Sequence, residues 1–349
     1  MDFFTKKLQK WYKINRRDLP WRNTKDPYKI WLSEIILQQT QVVQGLSYYN
    51  KFVEHYPDIK LLAGAPIDEV MKLWQGLGYY SRARNLHEAA GFVAGKYKGV
   101  FPKTYEEIRA LKGVGDYTAA AISSLAYDLP HAVVDGNVYR VLSRVFGVET
   151  PIDSTEGKKY FQQLANELLN KKDPAEYNQA IMEFGARYCR PVNPDCANCI
   201  FMEHCVAFAK KKVDVLPVKA KKTKVRDRYF NYIVFLYQGN TFIKKREAKD
   251  IWQGLYEFHL IETDKDQNAE TVLKNEVFKK LIPAKGSVVK SISKEYKHIL
   301  SHQHLHARFF IIEVKAAPKL NQIKKVKTGT IHAYAFPRLI EKFLKEAGM

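Results

Sequence analysis

Two features found in many sequences are missing from this chain of 349 residues. It has no apolar run close to the ~18 residues that a membrane-spanning helix needs, and its first residues lack the apolar stretch of a secretory signal. These absences predict a cytoplasmic protein, associated with the nucleoid if its source is bacterial, without a membrane partner. Cysteine is scarce, with four residues, and acidic residues are too few to balance the basic ones.

The excess of positive charge is large and uneven. Lys and Arg number 57 against 37 Asp and Glu, a net charge of +20, which indicates a polyanionic partner. Residues 221–349 contribute +13 and residues 1–220 contribute +7. The chain is longer than one ordinary domain of about 100–150 residues, so two domains are expected. The basic stretch 210–227 predicts an extended linker, either a solvated tether or one that also contacts phosphates.

The spacing of apolar residues changes between the two parts. In residues 1–209 they recur every three or four positions, which predicts an all-α domain. Residues 228–349 contain a hairpin pattern at 232–243 and a strand pattern at 307–314, with a helical pattern at 270–278 between them. The chain is therefore predicted to be multidomain, with a helical domain at 1–209, a linker at 210–227 and an α+β domain at 228–349.

All the cysteines lie in one short segment, at Cys189, Cys196, Cys199 and Cys205. In a reducing compartment, clustered thiols are expected to bind a metal or a cluster rather than to form two disulfides. Structural zinc sites usually join two close pairs of ligands, whereas only Cys196 and Cys199 show a Cys-x-x-Cys spacing here. The spacing therefore favours an iron–sulfur cluster and leaves zinc as the alternative.

Two glycines, Gly113 and Gly115, stand directly before a helical pattern of small residues. Glycines let backbone amides approach a phosphate closely, and the N-terminus of the following helix adds partial positive charge. The pattern indicates a helix-hairpin-helix element that binds a DNA backbone. A simple tight turn is the alternative interpretation.

Two carboxylates stand in or directly before predicted helices, and one of them has surroundings suited to catalysis. Glu34 lies among apolar residues of a predicted helix, and such surroundings raise the pKa of a carboxyl group so that it can act as a general acid. Asp135 and Asn137 stand on either side of Gly136 before another helix, a pattern that by itself predicts a turn and an N-cap. A solvated position on the helix is the alternative for Glu34.

These segments together resemble the helix-hairpin-helix DNA glycosylases with a [4Fe-4S] cluster, and within them the adenine DNA glycosylase (MutY) family. The match rests on the helix of Glu34, the hairpin 113–115, the loop of Asp135, the cysteine spacing and the segment 76–86, and it weakens after about residue 206. The resemblance implies a helix-hairpin-helix glycosylase domain with an iron–sulfur loop, followed by a Nudix-like domain. It further implies a monomer that acts on duplex DNA containing A·8-oxoguanine or A·G mispairs.

The resemblance also implies roles for the residues that match the family's catalytic positions. Glu34 would protonate adenine at N7, and Asp135 would stabilise the oxocarbenium ion or form a transient covalent intermediate. Tyr117 and Asn137 would position this pair.

Other matching positions imply contacts with DNA and with the cofactor. Arg22 would contact the flipped adenine, Tyr79 would be the wedge in the base stack, and Gln39 would fill space near the opposite base. Gly113 and Gly115 would bind the backbone. The [4Fe-4S] cluster would be held by the four cysteines, Cys189, Cys196, Cys199 and Cys205.

One position separates the family from its sister, endonuclease III, which removes oxidised pyrimidines and also cleaves the strand. The sister enzymes carry a lysine two residues after the second hairpin glycine, where this chain has Tyr117. Because no amine is available there to form a Schiff base, base removal without strand cleavage is predicted. An endonuclease III-like glycosylase is the alternative. A non-catalytic DNA-binding protein is disfavoured by the presence of both Glu34 and Asp135.

The C-terminal part contains a partial match to the family's Phe-Ser-His motif, which reads 8-oxoguanine. Ser301 and His302 match its last two residues, and Leu300 replaces the phenylalanine. His298, His304 and His306 lie nearby, and for this group of histidines a polar strand face is favoured over a metal site.

Overall fold

The computed structural model describes residues 2–220, 225–282, 286–318 and 320–349, so part of the predicted linker, residues 221–224, lies outside the described residues. The chain divides into two compact units. The helical unit comprises Met1–Gly64 and Asn85–Lys222, and the sheet unit comprises Ala65–Arg84 and Thr223–Met349. Within these ranges, every helix is too short or too polar to span a bilayer.

The helical unit is built as the apolar spacing predicts. In chain order the helices up to residue 209 are α1 (Asp2–Asn15), α2 (Pro27–Leu37), α3 (Val42–His55), α4 (Ile59–Gly64), α5 (Ile67–Leu73), α6 (Ser81–Lys96), α7 (Tyr105–Arg109), α8 (Asp116–Tyr127), α9 (Gly136–Phe146), α10 (Thr155–Leu168), α11 (Pro174–Arg187) and α12 (Val206–Ala209). Short 3-10 helices lie at Pro20–Arg22 and Met202–His204. Helix α5 belongs to the sheet unit.

Helix α2 is largely buried within the helical unit. It begins where the Asp26 side chain accepts a hydrogen bond from the Tyr28 amide at 3.0 Å, with Pro27 at the first helical position. Residues 30–36 are all buried, so this helix has no solvated face that would expose its one glutamate. Helix α2 packs against α8, and α11 packs against α8 and α9.

The sheet unit is an α+β fold around one mixed sheet. Its strands are β1 (Arg226–Tyr237), β2 (Asn240–Lys245), β3 (Tyr256–Glu257), β4 (His259–Thr263), β5 (Ser287–Ile292), β6 (Tyr296–Ile299), β7 (Gln303–Val314) and β8 (Lys324–Lys327). The order along the sheet is β3-β2-β1-β7-β5, with β4 on β1, β6 on β7 and β8 on β2. Strands β1 and β7 are parallel, and the other pairs are antiparallel. The predicted hairpin and strand are confirmed.

The helical pattern at 270–278 forms two short helices instead of one. They are α13 (Ala269–Lys274) and α14 (Glu276–Leu281), and the last helix of the unit is α15 (Arg338–Glu346). Asn275 between them has extended backbone, and its side chain accepts a hydrogen bond from the Val277 amide at 2.8 Å. Asparagine competes for backbone groups in this way, so it ends one helix and caps the next.

The first half of the predicted linker is not a free tether. Leu216 is only 3% exposed, and its carbonyl accepts a hydrogen bond from Arg144 of α9 at 3.1 Å. The Val218 carbonyl accepts another from the Ile152 amide at 3.0 Å. Lysines dominate the composition of the stretch 210–227, so that its composition does not reveal the buried Leu216.

Candidate active site

Glu34 lies in a buried position where one side chain contacts its carboxylate directly. The Tyr117 hydroxyl, in the first turn of α8, donates a hydrogen bond to Glu34 Oε2 at 2.9 Å and also lies 3.3 Å from Met182 Sδ. Burial raises the pKa of Glu34 to about 7, against the lowering effect of this hydrogen bond. Burial also keeps the pKa of Tyr117 well above its ordinary value, so the phenol keeps its proton.

Asp135 is the N-cap of α9, as its sequence context predicts. Its Oδ1 accepts hydrogen bonds from the amides of Asn137 and Val138 at 2.9 and 2.8 Å, and its Oδ2 accepts one from the Asn137 side chain at 2.8 Å. Burial raises the pKa of Asp135, while these three donors oppose the rise by stabilising the charged form. The charge of Asp135 also helps to raise the pKa of Glu34.

The two carboxyl groups therefore have different environments within one unit. Glu34 has a single phenolic donor in an apolar helix, whereas Asp135 has three N–H donors at the positive end of a helix. Such a pair can supply a proton from one group and a negative charge from the other. A cleft in the same unit is lined by Tyr117, Gly115 and the exposed lysines Lys158 and Lys159 of α10.

Arg22 contacts a buried carboxylate that the sequence analysis did not identify. Its guanidinium donates to Glu183 Oε2 of α11 at 2.8 Å, and Arg17 donates to Glu183 Oε1 at 2.7 Å. Burial raises the pKa of Glu183, but the two guanidinium groups outweigh this effect and hold it at about 2. Sequence reasoning could have found Glu183, because it stands among apolar residues of a helix, as Glu34 does.

Arg140 connects the Asp135 region with the cysteine segment. Its guanidinium donates to Asn137 Oδ1 at 2.8 Å, to the Gly185 carbonyl at 2.6 Å and to the Cys189 carbonyl at 2.7 Å. The residue that holds Asp135 Oδ2 is thus tied to the backbone of the first cysteine. This arginine, too, was missed at the sequence level, because two of its three acceptors are the distant backbone carbonyls of Gly185 and Cys189.

The four cysteines line one cavity in the helical unit, and all are free thiols. Arg144 Nη1 lies 3.6 Å from Cys189 Sγ, and the Phe201 amide donates to Cys199 Sγ at 3.4 Å. Among the described residues, no three His, Cys, Asp or Glu side chains converge closely enough for a single metal ion. Four thiols around a shared space, with cationic and N–H donors beside the sulfurs, fit an iron–sulfur cluster.

The two hairpin glycines differ in backbone conformation and in the space around the position of a Cβ atom. Gly113 has a φ of +78°, and a Cβ there would lie 2.8 Å from the Cβ of Asn85, so only glycine fits this turn. Gly115 is the N-cap of α8 in extended conformation, and nothing lies within 4 Å of its Cβ position. The open space at Gly115 leaves the amides of the first helical turn accessible.

In the sheet unit, the segment before α6 carries Tyr79. Tyr79 has a φ of +46° and is 48% exposed, and its hydroxyl lies 3.2 Å from Ser301 Oγ. Ser301 and His302 form the exposed turn between β6 and β7. Tyr79, Ser301 and His302 line one pocket with Trp252 and Leu300. Gln39 is exposed in the helical unit, just after α2, with a φ of +53°.

Comparison with known proteins gives the family. A model described as HhH-GPD superfamily base excision DNA repair protein matches residues 32–171, and a NUDIX domain model matches residues 231–346. An adenine DNA glycosylase of Buchnera aphidicola subsp. Schizaphis graminum is 30% identical over 353 aligned positions, which cover 98% of each chain. This chain belongs to the adenine DNA glycosylase (MutY) family.

Other relatives agree over the helical part. The adenine DNA glycosylase of Mus musculus is 42% identical over 216 residues, covering 59% of this chain and 42% of the mouse protein. The structure of a thermostable thymine-DNA glycosylase matches with a TM-score of 0.56 and 33% identity, covering 59% of this chain and 95% of that one. An endonuclease III–DNA complex, 20% identical with a TM-score of 0.53, shares the fold.

The family membership confirms the predicted fold class. A helix-hairpin-helix glycosylase domain is followed by a Nudix-like domain, and the chain is a DNA glycosylase of base excision repair with DNA as its partner. The thymine-DNA glycosylase shows that the helical domain occurs in enzymes named for different bases. The helical domain alone therefore does not assign the chain to one family. The match to an adenine DNA glycosylase along nearly the whole chain does.

The clustered histidines of this glycosylase take different partners. His306 Nε2 lies 3.0 Å from Asp227 Oδ1, and its Nδ1 lies 3.0 Å from Glu295 Oε1. His298 instead packs against the ring of Trp252. The polar strand face that the sequence favours for these histidines stays a prediction.

Proposed function

We propose that this glycosylase removes adenine paired with 8-oxoguanine or guanine in duplex DNA by hydrolysing its N-glycosidic bond. The observation that carries the proposal is the pair of unlike carboxyl groups: Glu34, with a pKa of about 7, near Asp135, with three N–H donors. In this account residues 1–209 hold the catalytic site and residues 228–349 read the opposite base. Residues 210–227 connect the two domains.

Adenine must leave the base stack before the bond can break. Tyr79 is suited to act as the wedge, because it is an exposed aromatic ring fixed on a turn with positive φ. Gln39 would occupy space near the opposite base, and Arg22 would contact the flipped adenine. The amides near Gly113 and Gly115, with Lys158 and Lys159 on the neighbouring cleft, would bind backbone phosphates.

Bond cleavage follows from the two carboxyl groups. Because burial raises its pKa to about 7, Glu34 can carry a proton at neutral pH, and it would transfer this proton to adenine N7. The electron pair of the C1′–N9 bond then leaves with the base, and the cationic sugar is stabilised by the Asp135 carboxylate or trapped by it as a transient adduct. Water adds to C1′, and its proton passes to solvent.

Tyr117 restricts the outcome to base removal. Its phenol donates to Glu34 and remains protonated. Because a phenol is not an amine, it cannot form a Schiff base with the sugar. Asn137 would hold Asp135 in place through the side-chain hydrogen bond to Oδ2. The site therefore favours a monofunctional glycosylase over an endonuclease III-like enzyme that also cleaves the strand.

We also propose that Cys189, Cys196, Cys199 and Cys205 hold a [4Fe-4S] cluster, in support of which all four line one cavity. When bound, the cluster would supply iron–thiolate bonds that crosslink the segment 189–205. Arg140 and Arg144 would attach this segment to α9, through the Cys189 carbonyl and the Arg190 carbonyl respectively.

A single-turnover assay on an A·8-oxoguanine duplex tests the proposed function. We expect adenine release, strand cleavage only after alkali treatment, and no borohydride-trapped adduct, because position 117 lacks an amine. A duplex with an oxidised pyrimidine should remain intact. Strand nicking without alkali, or preferential release of the oxidised pyrimidine, would contradict the proposal and support the endonuclease III-like alternative.

The matched pair of variants for this assay is Glu34→Gln and Glu54→Gln. Glu34→Gln keeps the shape of the side chain but removes the transferable proton, so release should fall by at least ~100-fold while duplex binding persists. Glu54 is an exposed residue of α3, and its variant should match the parent enzyme. Equal rates for the two variants would exclude Glu34 as the acid.

Metal analysis of the purified chain tests the cofactor. We expect about four iron and four sulfide ions per chain with broad visible absorbance, and loss of both on Cys199→Ser. One zinc ion per chain without iron would contradict the cluster and favour the zinc alternative.

The lesion-reading role is tested by Ser301→Ala combined with His302→Ala. Loss of both polar groups should reduce the ratio of the rates opposite 8-oxoguanine and guanine by about tenfold. The matched control is Thr330→Ala with His332→Ala, a second exposed pair in the same unit. If the ratio stays at the parent value in the first variant, these two residues do not read the lesion.

A further inference from the structure

We propose that Arg228 is a positioning residue for opposite-base recognition, because through Gln303 and Asp250 it holds both walls of the pocket that contains Ser301 and His302. This inference rests on the proposed role of Ser301 and His302. Arg228 stands in β1 and does not line that pocket. Its effect would pass entirely through the residues that it holds.

The first wall is the turn between β6 and β7. The Leu300 amide donates to the Gln303 carbonyl at 2.8 Å, and the Arg226 amide donates to the His302 carbonyl at 3.2 Å. Ser301 and His302 are exposed at the tip, whereas Gln303, the next residue, is only 4% exposed. The buried Gln303 side chain therefore determines where the exposed tip sits.

Every N–H group of the Arg228 guanidinium donates a hydrogen bond to a neighbouring side chain. Its Nη1 donates to Gln303 Oε1 and Asp250 Oδ1, both at 3.0 Å, and its Nη2 donates to Asp250 Oδ2 at 2.8 Å. Its Nε and Nη2 also donate to the two oxygens of Glu262 at 2.6 and 2.7 Å. These contacts account for all five N–H donors of the group, and its side chain is only 10% exposed.

The second wall is the loop that carries Asp250 and Trp252. Arg246 closes the base of this loop, since its amide donates to the Leu255 carbonyl and its carbonyl accepts from the Gly254 amide at 2.7 Å. The Arg246 side chain also donates to Asp250 Oδ2 at 3.1 Å. Asp250 and Trp252 both line the pocket with Ser301 and His302, so one planar guanidinium fixes the distance between the two walls.

Lysine could not replace this arginine, because an ammonium is a point charge that cannot span three acceptors in one plane. The contact that matters for the turn is the bond to Gln303. Gln303→Met removes that acceptor with little change in length. Gln303→Glu keeps an acceptor oxygen in either protonation state.

The test measures single-turnover release of adenine opposite 8-oxoguanine and opposite guanine, with full-length enzyme in excess. Gln303→Met and Arg228→Lys should each reduce the ratio of the two rates by about tenfold, while Gln303→Glu should retain it within about twofold. The control is Arg308→Lys on β7, whose guanidinium contacts Asp266 and Glu295 outside the pocket, and which should match the parent. A general loss of folded protein would affect both substrates equally and leave the ratio unchanged.

Each outcome decides the inference. If Gln303→Met keeps the parent ratio while Ser301→Ala with His302→Ala reduces it, the positioning role of Arg228 is wrong and the lesion-reading role stands. If neither Gln303→Met nor Ser301→Ala with His302→Ala reduces the ratio, the lesion-reading role fails as well. If Gln303→Glu reduces the ratio of the two rates as much as Gln303→Met does, the hydrogen bond to Arg228 is not what positions the turn. Should Arg228→Lys fail to fold, the Gln303 pair still decides.

Discussion

The hydrogen bond from Tyr117 to Glu34 inside the helical unit is the interaction on which the site depends. A carboxyl group can remain in so apolar a helix only if it is neutral part of the time or has a donor, and Tyr117 supplies one donor without supplying a positive charge. Burial raises the pKa of Glu34 to about 7, and the hydrogen bond from Tyr117 limits this rise. The buried α2 helix, the start of α8 at Gly115 and the cap of α9 at Asp135 all serve to bring these groups together.

Glu183 shows what a different set of partners does to the same kind of side chain. It is as buried as Glu34 and also stands in an apolar helix, yet Arg17 and Arg22 hold its pKa at about 2. Two guanidinium groups outweigh the effect of burial at Glu183, whereas at Glu34 burial outweighs one phenolic donor and a nearby aspartate adds to the rise in pKa. The helical unit thus contains one glutamate that is fixed as an anion and one that can exchange a proton near neutral pH. Burial alone does not distinguish these two glutamates from each other.

The sequence was sufficient to predict those features that depend on local pattern. Apolar spacing predicted the helical and α+β parts, the turn before α9 predicted the cap at Asp135, and the apolar neighbours of Glu34 predicted its burial. The break at Asn275 was missed, because one capping residue outweighed an otherwise continuous helical pattern.

Contacts distant in sequence could not be predicted from the sequence. Glu183 lies 166 residues from Arg17, and Arg228 lies 75 residues from Gln303, so no spacing rule connects either pair. The attachment of residues around Leu216 to the helical unit was hidden for a related reason, since a single buried leucine hardly alters the composition of a lysine-rich stretch. Local patterns therefore pointed to individual residues, and only the structure gave the partners that those residues contact.

The role of Glu34 as the general acid is best tested by the pH dependence of kcat/KM for adenine release, because this quantity reports the ionisation of the free enzyme. Glu34 must be protonated to act as the acid, and its protonated fraction decreases as the pH rises through its raised pKa of about 7. We expect kcat/KM to decline above about pH 7 and Glu34→Gln to remove this limb of the profile. A profile that stays flat from about pH 6 to about pH 8, or the same decline in the variant, would contradict it.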